Sequence, residues 1–80
     1  MKYVYLLEST TSPNRHYIGL TTNLGARLAA HNAGSSPHTS KYRPWKLVVA
    51  LQFASQERAS AFEQYLKTGS GYAFAKRHFW

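Results

Sequence analysis

The stretch YVYLLESTTSPNRHYIGLTT, residues 3–22, decides the fold of this chain because it predicts a β-hairpin. Its two short apolar runs, Tyr3–Leu7 and His16–Leu20, are rich in the tyrosine and aliphatic residues that strands favour. The intervening Ser9–Asn14 is dense in turn-forming residues. Consecutive strands joined by a short polar connector usually pair in antiparallel fashion, which predicts the hairpin.

Tyrosine lies within both predicted strands, and two interpretations of this are open. Tyrosine packs well on a half-buried sheet, so strand formation alone can explain the phenols. Because side chains alternate between faces, Tyr3, Tyr5 and Leu7 share one face. We expect Tyr5 to lie roughly opposite Tyr17. Two adjacent phenols beside a carboxylate and a guanidinium could then act on a phosphate.

The remainder of the chain predicts an α+β fold with the order β-β-α-β-α-(α). The expected sheet is small, three-stranded and mainly antiparallel, with helices flanking it. Caps, glycines and apolar periodicity indicate the later segments: a helix from the Asn23 cap to about Asn32, a loop over 34–44, a strand over Trp45–Phe53, a helix from the Ser55 cap to about Thr68, a break at 69–71 and a short helix over Tyr72–Phe79.

Length and composition exclude several classes of protein. Eighty residues leave room for one core, so residues 1–80 are predicted to form a single domain. Cysteine is absent, which excludes disulfides, thiolate metal sites and thiol nucleophiles and fits a reducing compartment. The N-terminus has no signal-peptide pattern, and no run approaches the roughly 20 apolar residues of a membrane span. We therefore expect a cytoplasmic protein that does not enter the membrane.

Charge is the strongest compositional signal. Ten lysine and arginine residues stand against three acids, which gives a net charge of +7. Such a balance predicts attraction to polyanions, with nucleic acid as the first candidate partner and an anionic membrane surface as the second. A basic protein that binds polyanions only incidentally is the remaining alternative.

The first predicted helix carries two stripes of side chains at i, i+4, i+8 spacing. One is apolar and the other polar: Leu20, Leu24 and Leu28, and Asn23, Arg27 and His31. The polar stripe places a guanidinium and an imidazole one turn apart. Arg27 could simply be a solvated charge, and His31 could cap the end of the helix, where a cation is favoured.

Glu63 occupies an unusual position for an acid. At 100° per residue it lies only about 40° from Ala59, at the edge of the packing face of the second helix. A carboxylate there is costly unless it is paired or binds a metal. The alternatives are a salt bridge with Arg27 or Lys67, or a divalent-ion site, since Mg²⁺ prefers oxygen ligands.

A basic segment follows the first helix. Lys41, Tyr42, Arg43 and Lys46 are candidates for contacts with a nucleic-acid backbone rather than for catalysis.

Taken in order, these segments resemble the GIY-YIG nuclease family, in particular its small members that consist of the nuclease domain alone. Tyr3-Val4-Tyr5 stands at the first motif, and Tyr17-Ile18-Gly19 is an intact second motif. TTNLGARLAAHNAG, SKYRPWKLV and FEQYLKTGSGYAFAKRHF are similar to the later segments. Two departures are present: Tyr3 replaces the glycine of the first motif, and no asparagine follows Asn32, whereas larger relatives carry a late one.

The resemblance implies an endonuclease that depends on Mg²⁺ or Mn²⁺ and acts on nucleic acid. We expect DNA rather than RNA as its partner, although the sequence leaves RNA open. The resemblance also implies that Glu63 holds the metal against the scissile phosphate and that Tyr5 takes the proton of the attacking water. Arg27 would stabilise the phosphorane charge, and Tyr17 would orient the phosphate or the water. His31 is a second candidate for proton transfer or phosphate contact.

The sequence therefore predicts one of two functions. The first is the metal-dependent endonuclease, for which exposed aromatic residues favour substrates with single-stranded or branched character. The second is a nucleic-acid-binding module whose nuclease activity is weak or lost. A monomer and a weak homodimer are both compatible with the sequence.

Overall fold

The computed structural model describes all 80 residues. It consists of three strands, three α-helices and one short 3₁₀ turn: β1 Lys2–Ser9, β2 His16–Thr21, α1 Leu24–Asn32, the 3₁₀ turn Ser40–Tyr42, β3 Trp45–Phe53, α2 Gln56–Leu66 and α3 Gly69–His78. This order confirms the predicted α+β fold. None of the helices has the length and apolar character needed to cross a membrane.

The sheet has the strand order β2-β1-β3, and both pairings are antiparallel. The hairpin prediction is confirmed, but the predicted register is wrong by two residues. Tyr5 lies opposite Gly19, and Tyr17 lies opposite Leu7. A shift of two residues preserves the face on which each side chain lies, so the two phenols still share a face.

One face of β1 forms the apolar core of the protein. Val4 and Leu6 are fully buried against Ala59 and Leu66 of α2 and Ala75 of α3. Partly buried aliphatic and aromatic side chains from β2, β3, α2 and α3 surround this cluster. Helices α2 and α3 therefore cover this side of the sheet.

The opposite face of β1 carries a second, smaller cluster. Tyr5 and Leu7 are buried there with Trp45, and Leu24 and Leu28 of α1 pack against them. Helix α1 therefore covers this side of the sheet.

The predicted third member of the apolar stripe, Leu20, does not belong to α1. It lies in β2 and packs with the cluster under α2 and α3, because the strand continues to Thr21 before the helix begins.

Local capping chemistry fixes the ends of the helices. The Asn23 side chain accepts the Ala26 N–H at 3.1 Å at the start of α1. After its end, Gly34 has a φ of 80°, the left-handed conformation that favours glycine. The expected break at residues 69–71 is wrong in detail, because Thr68 caps α3 and those three residues form its first turn.

Candidate active site

Three aromatic rings meet between the sheet and α1. Tyr5 comes from β1, Tyr17 from β2 and His31 from the last turn of α1. The ring centroids of Tyr17 and His31 are 4.8 Å apart, and those of Tyr5 and Tyr17 are 6.1 Å apart. The hairpin and the helix thus bring together two phenols and an imidazole, as the sequence predicts.

Gly19 explains how the Tyr5 ring fits into this cluster. It is the cross-strand partner of Tyr5, and a Cβ added at Gly19 would lie 2.5 Å from the Tyr5 hydroxyl oxygen. Any larger residue must push the ring away from the sheet. The glycine of the second motif therefore sets the height of the Tyr5 hydroxyl above the strand.

A chain of hydrogen bonds runs from the Tyr5 hydroxyl into the protein. The Tyr5 Oη is 2.9 Å from His31 Nε2, and His31 Nδ1 is 2.8 Å from Thr39 Oγ1. All three residues are at most 2% exposed. The Trp45 indole N–H donates to the Thr39 carbonyl at 2.8 Å and so anchors the end of the chain.

The protonation states of this chain follow from burial and charge. Burial, and then the neighbouring Tyr17, raise the pKa of Tyr5 to about 12, and the opposing charge of Arg27 does not compensate. Burial, followed by the charge of Arg27, lowers the pKa of His31 below its usual value. Near neutral pH the pair is therefore a neutral phenol hydrogen-bonded to a neutral imidazole.

Arg27 lies one turn before His31 on α1, and its side chain is exposed. It borders a cleft of about 210 Å³, which is lined by Tyr17, Arg27, Ala30, His31, Ser35 and Ser36. A guanidinium presents a planar fork of donors that matches phosphate oxygens. The cleft is therefore suited to an oxyanion.

Glu63 lies on α2, which covers the face of the sheet opposite to α1. Its carboxylate is 2.5 Å from Lys67 Nζ, so the salt bridge considered in the sequence is present, and its side chain is 13% exposed. It makes no hydrogen bond to Tyr5 or His31, and its helix packs on the opposite face of the sheet. The two faces of the sheet meet at the edge strand β2, where Tyr17 and Lys67 line the same groove.

Comparison with known proteins identifies the family. The family model described as the GIY-YIG catalytic domain matches residues 1–74. The chain belongs to the GIY-YIG family. The predicted resemblance is thereby confirmed.

Individual relatives show how much of the chain is shared. A UPF0213 protein of Streptococcus pneumoniae is 42% identical over 66 residues, which cover 81% of this chain and 65% of that protein. A structure-specific endonuclease subunit SLX1 homolog of Giardia intestinalis is 40% identical over 65 residues, which cover 76% of this chain and 18% of that protein. The solution structure of a UPF0213 protein from Bacillus halodurans superimposes with a TM-score of 0.57 at 30% identity, over 96% of this chain and 82% of that one.

Within this GIY-YIG fold, the donor set for a divalent metal is sparse. The protein contains no group of three or more histidine or acidic side chains that could hold an ion together. Glu63 offers one nearly buried carboxylate, already balanced by Lys67. Mg²⁺ usually keeps several waters and binds through one or two carboxylates together with substrate phosphates. Glu63 fits that mode of binding and does not fit a metal held by the protein alone.

The basic segment before β3 divides into two kinds of residue. Lys41 and Arg43 are exposed and available to a polyanion. Lys46 is also exposed, although its ammonium lies 3.3 Å from Glu8. Tyr42 is partly buried, packs edge-on against Trp45 and lies beneath the Arg15 guanidinium, so its ring has a packing role.

Thr39 is the site residue that the sequence did not indicate. It lies in a loop rich in serine, threonine and proline, where no periodicity distinguishes one hydroxyl from its neighbours. The cis peptide bond between Arg43 and Pro44 lies just before β3, after the 3₁₀ turn that follows Thr39. Only the folded loop brings Thr39 to His31, 8 residues earlier in the chain.

Proposed function

We propose that this protein is a metal-dependent endonuclease that hydrolyses phosphodiester bonds in nucleic acid. DNA with single-stranded or branched character is the proposed substrate. The observation that carries the proposal is the buried hydrogen bond between the Tyr5 hydroxyl and His31 Nε2, placed beside the exposed Arg27. Membership of the GIY-YIG family and similarity to proteins named structure-specific endonuclease subunits support it.

Tyr5 and His31 move the proton of the attacking water. A phenol whose pKa is about 12 is a poor base by itself. It can accept a proton from water when its own proton passes to His31 Nε2, which is 2.9 Å away. In this tautomer Nδ1–H donates to Thr39 Oγ1, which orients the imidazole. This proton relay, from water through Tyr5 to His31, needs no free phenolate.

Arg27 and Tyr17 bind the scissile phosphate. Phosphodiester hydrolysis gathers negative charge on the non-bridging oxygens, and a guanidinium stabilises that charge through paired N–H donors. Tyr17 borders the same cleft and can donate its hydroxyl to a phosphate oxygen. The tyrosine and the arginine thus hold the phosphate in a cleft that is also lined by His31, the hydrogen-bond partner of Tyr5.

Glu63 would hold the Mg²⁺ or Mn²⁺ ion. When bound, the ion offsets charge that develops on the phosphate and the leaving oxygen. Lys67 already pairs with the same carboxylate, so metal and lysine compete for Glu63. Metal affinity without nucleic acid is therefore expected to be weak, because few protein ligands are available.

The charge distribution supports a nucleic-acid substrate. The net charge is +7, and Lys41 and Arg43 remain exposed beside the polar loop. Lysine and arginine contacts to phosphates position a nucleic acid without reading its sequence. Aromatic side chains near the site favour unpaired bases.

One observation favours a second candidate function, a binding module without cleavage. The ion pair between Glu63 and Lys67 occupies the carboxylate that is proposed to hold the metal. If Lys67 holds Glu63 permanently, the protein would bind nucleic acid through its basic surface without cutting it.

A cleavage assay separates the two functions. Labelled single-stranded, duplex, flap and RNA oligonucleotides are incubated with Mg²⁺, Mn²⁺ or EDTA. Tyr5→Phe and Glu63→Gln are compared with Glu57→Gln, which removes an exposed acid from the first turn of the same helix. We expect cutting that needs metal, is lost in the first two variants and is retained in the third. Absence of cutting by the parent, together with salt-sensitive binding, would establish the binding module instead.

A further inference from the structure

A groove of about 370 Å³ lies at the outer edge of β2, next to the cleft that contains Arg27. Its residues come from β2, the end of α2 and the residue after it, the start of α3 and the C-terminal residue: His16, Tyr17, Ile18, Leu66, Lys67, Tyr72 and Trp80. Five of its lining residues are hydrophobic, and Lys67 is paired with Glu63. This apolar lining differs from the polar cleft beside it.

The walls of the groove are aromatic. The Trp80 ring stacks on His16 with centroids 3.7 Å apart and an interplanar angle of 4°. Tyr72 projects from the first turn of α3 and is 58% exposed, although it is a large aromatic residue. No aromatic partner packs on its ring, whereas Phe62 and Tyr65 of α2 and Phe74 of α3 pack on one another.

Tyr17 connects the groove to the candidate active site. It lines both the aromatic groove and the cleft that contains Arg27 and His31. A phosphate held by Arg27 and Tyr17 therefore has an adjoining nucleotide within reach of the groove. Lys67 also lines the groove, where its ammonium pairs with Glu63.

We propose that this groove binds one unpaired nucleobase of a single-stranded nucleic acid, the base that neighbours the bound phosphate. Tyr72 provides the exposed stacking surface, and Trp80 borders the groove. A base in a duplex is already stacked on both faces, so only an unpaired base can enter. The volume is near the lower end of the roughly 300–1,000 Å³ typical of ligand pockets, enough for one base.

The proposal rests on the proposed function in one respect only, which is the position of the base beside the reacting phosphate. Binding of the base does not require cleavage, so the two can fail separately. The test is therefore done in EDTA, where no metal-dependent cutting occurs. The probes are a fluorescent 12-residue oligothymidylate, an abasic oligomer of equal length and a duplex of 12 base pairs.

Tyr72→Ala and Tyr72→Phe form a matched pair, because Tyr72 is exposed and the second variant keeps the ring. We expect Tyr72→Ala to weaken binding of oligothymidylate by about fivefold or more, the low end for loss of one base–aromatic stack. Tyr72→Phe should bind within twofold of the parent. Affinity for the abasic oligomer and the duplex should change less than twofold in both variants. The base-containing strand alone should quench tryptophan emission.

The proposal is overturned if Tyr72→Ala binds oligothymidylate as tightly as the parent does. It is also overturned if affinity for the abasic oligomer falls equally, since the loss would then not concern a base. Thermal melting of each variant accompanies the titrations, and unchanged melting assigns the loss to the groove. Absence of cutting by the parent in Mg²⁺ would instead count against the proposed function.

Discussion

The two faces of β1 show how one strand can serve two purposes. Leu6 and Tyr5 are neighbours in the chain, and both are almost completely buried. Leu6 lies among aliphatic and aromatic side chains under α2 and α3, where burial alone stabilises the fold. Tyr5 lies under α1 with His31 and Thr39, whose polar atoms are satisfied by one another.

Substitutions on the two faces of β1 should therefore affect different properties, namely stability on one face and cleavage on the other. An aliphatic core tolerates a change of shape at a cost proportional to the volume lost, whereas a buried polar chain depends on every member. The apolar face should therefore respond to substitution in its free energy of unfolding. The polar face should respond mainly in the rate of cleavage.

The largest expected effects, on cleavage and on stability, come from substituting Tyr5 and Leu6 separately. Tyr5→Phe removes the hydroxyl that moves the proton and should lower the cleavage rate by about 10³-fold, within the range of general acid–base catalysis. It should lower the free energy of unfolding by about 1–3 kcal/mol, because His31 Nε2 is left buried without a partner. Leu6→Ala should lower the free energy of unfolding by about 2–5 kcal/mol.

Chemical denaturation and single-turnover cleavage measure the two quantities on the same preparations. The folded fraction of Leu6→Ala should cut at close to the parent rate. Equal losses of cleavage in the two variants, after correction for folding, would mean that the faces are not separate.

A smaller effect is expected from Gly19→Ala. The added methyl group would overlap the Tyr5 ring, so the ring must move while its hydroxyl stays present. Displacement of a reacting group by about 1 Å can reduce a rate by about 10²-fold. Cleavage kinetics and a crystal structure of the variant provide the measurement, with Gly25→Ala as control, because that position has no close neighbour. Parent-like cleavage by Gly19→Ala would show that the height of the hydroxyl is unimportant.

Sequence reasoning was most successful where local chemistry determines local structure. Strict alternation over Trp45–Phe53 gives the bounds of β3, and the Asn23 and Ser55 caps give the starts of α1 and α2. The family motifs implied that Tyr17 and His31 belong to one site, and their ring centroids lie 4.8 Å apart. Each of these signals lies within a short segment or an ordered motif.

The features that sequence reasoning missed depend on contacts between distant segments. Strand register is set by packing across the hairpin, so the pairing of Tyr5 was misplaced by two residues. Thr39 reaches His31 only through the course of a loop. Helical periodicity placed Glu63 at a packing edge but could not tell which face of the sheet its helix covers.

Thr39→Val should lower the rate by about tenfold, below the range for loss of a group that itself moves a proton. Valine keeps the shape but cannot hold His31 Nδ1, so the imidazole loses its fixed orientation. Thr39→Ser keeps the hydroxyl and should restore cleavage to within about twofold of the parent, because a hydroxyl is the group required. A Thr39→Ser variant as slow as Thr39→Val would assign the loss to packing and leave the hydrogen bond without a role in cleavage.

The smallest effect is expected from pH, because the relay starts from two neutral groups. His31 accepts a proton only when neutral, and burial and Arg27 hold its pKa below the usual 6.5. The rate should therefore fall only below pH 6.5 and stay level from pH 7 to 9, measured as kcat/KM at constant ionic strength. A mechanism that needs the Tyr5 phenolate behaves differently. With the Tyr5 pKa at about 12, its rate would rise about tenfold for each pH unit across that range. A level profile supports transfer to His31, and a steep rise would show that Tyr5 acts without it.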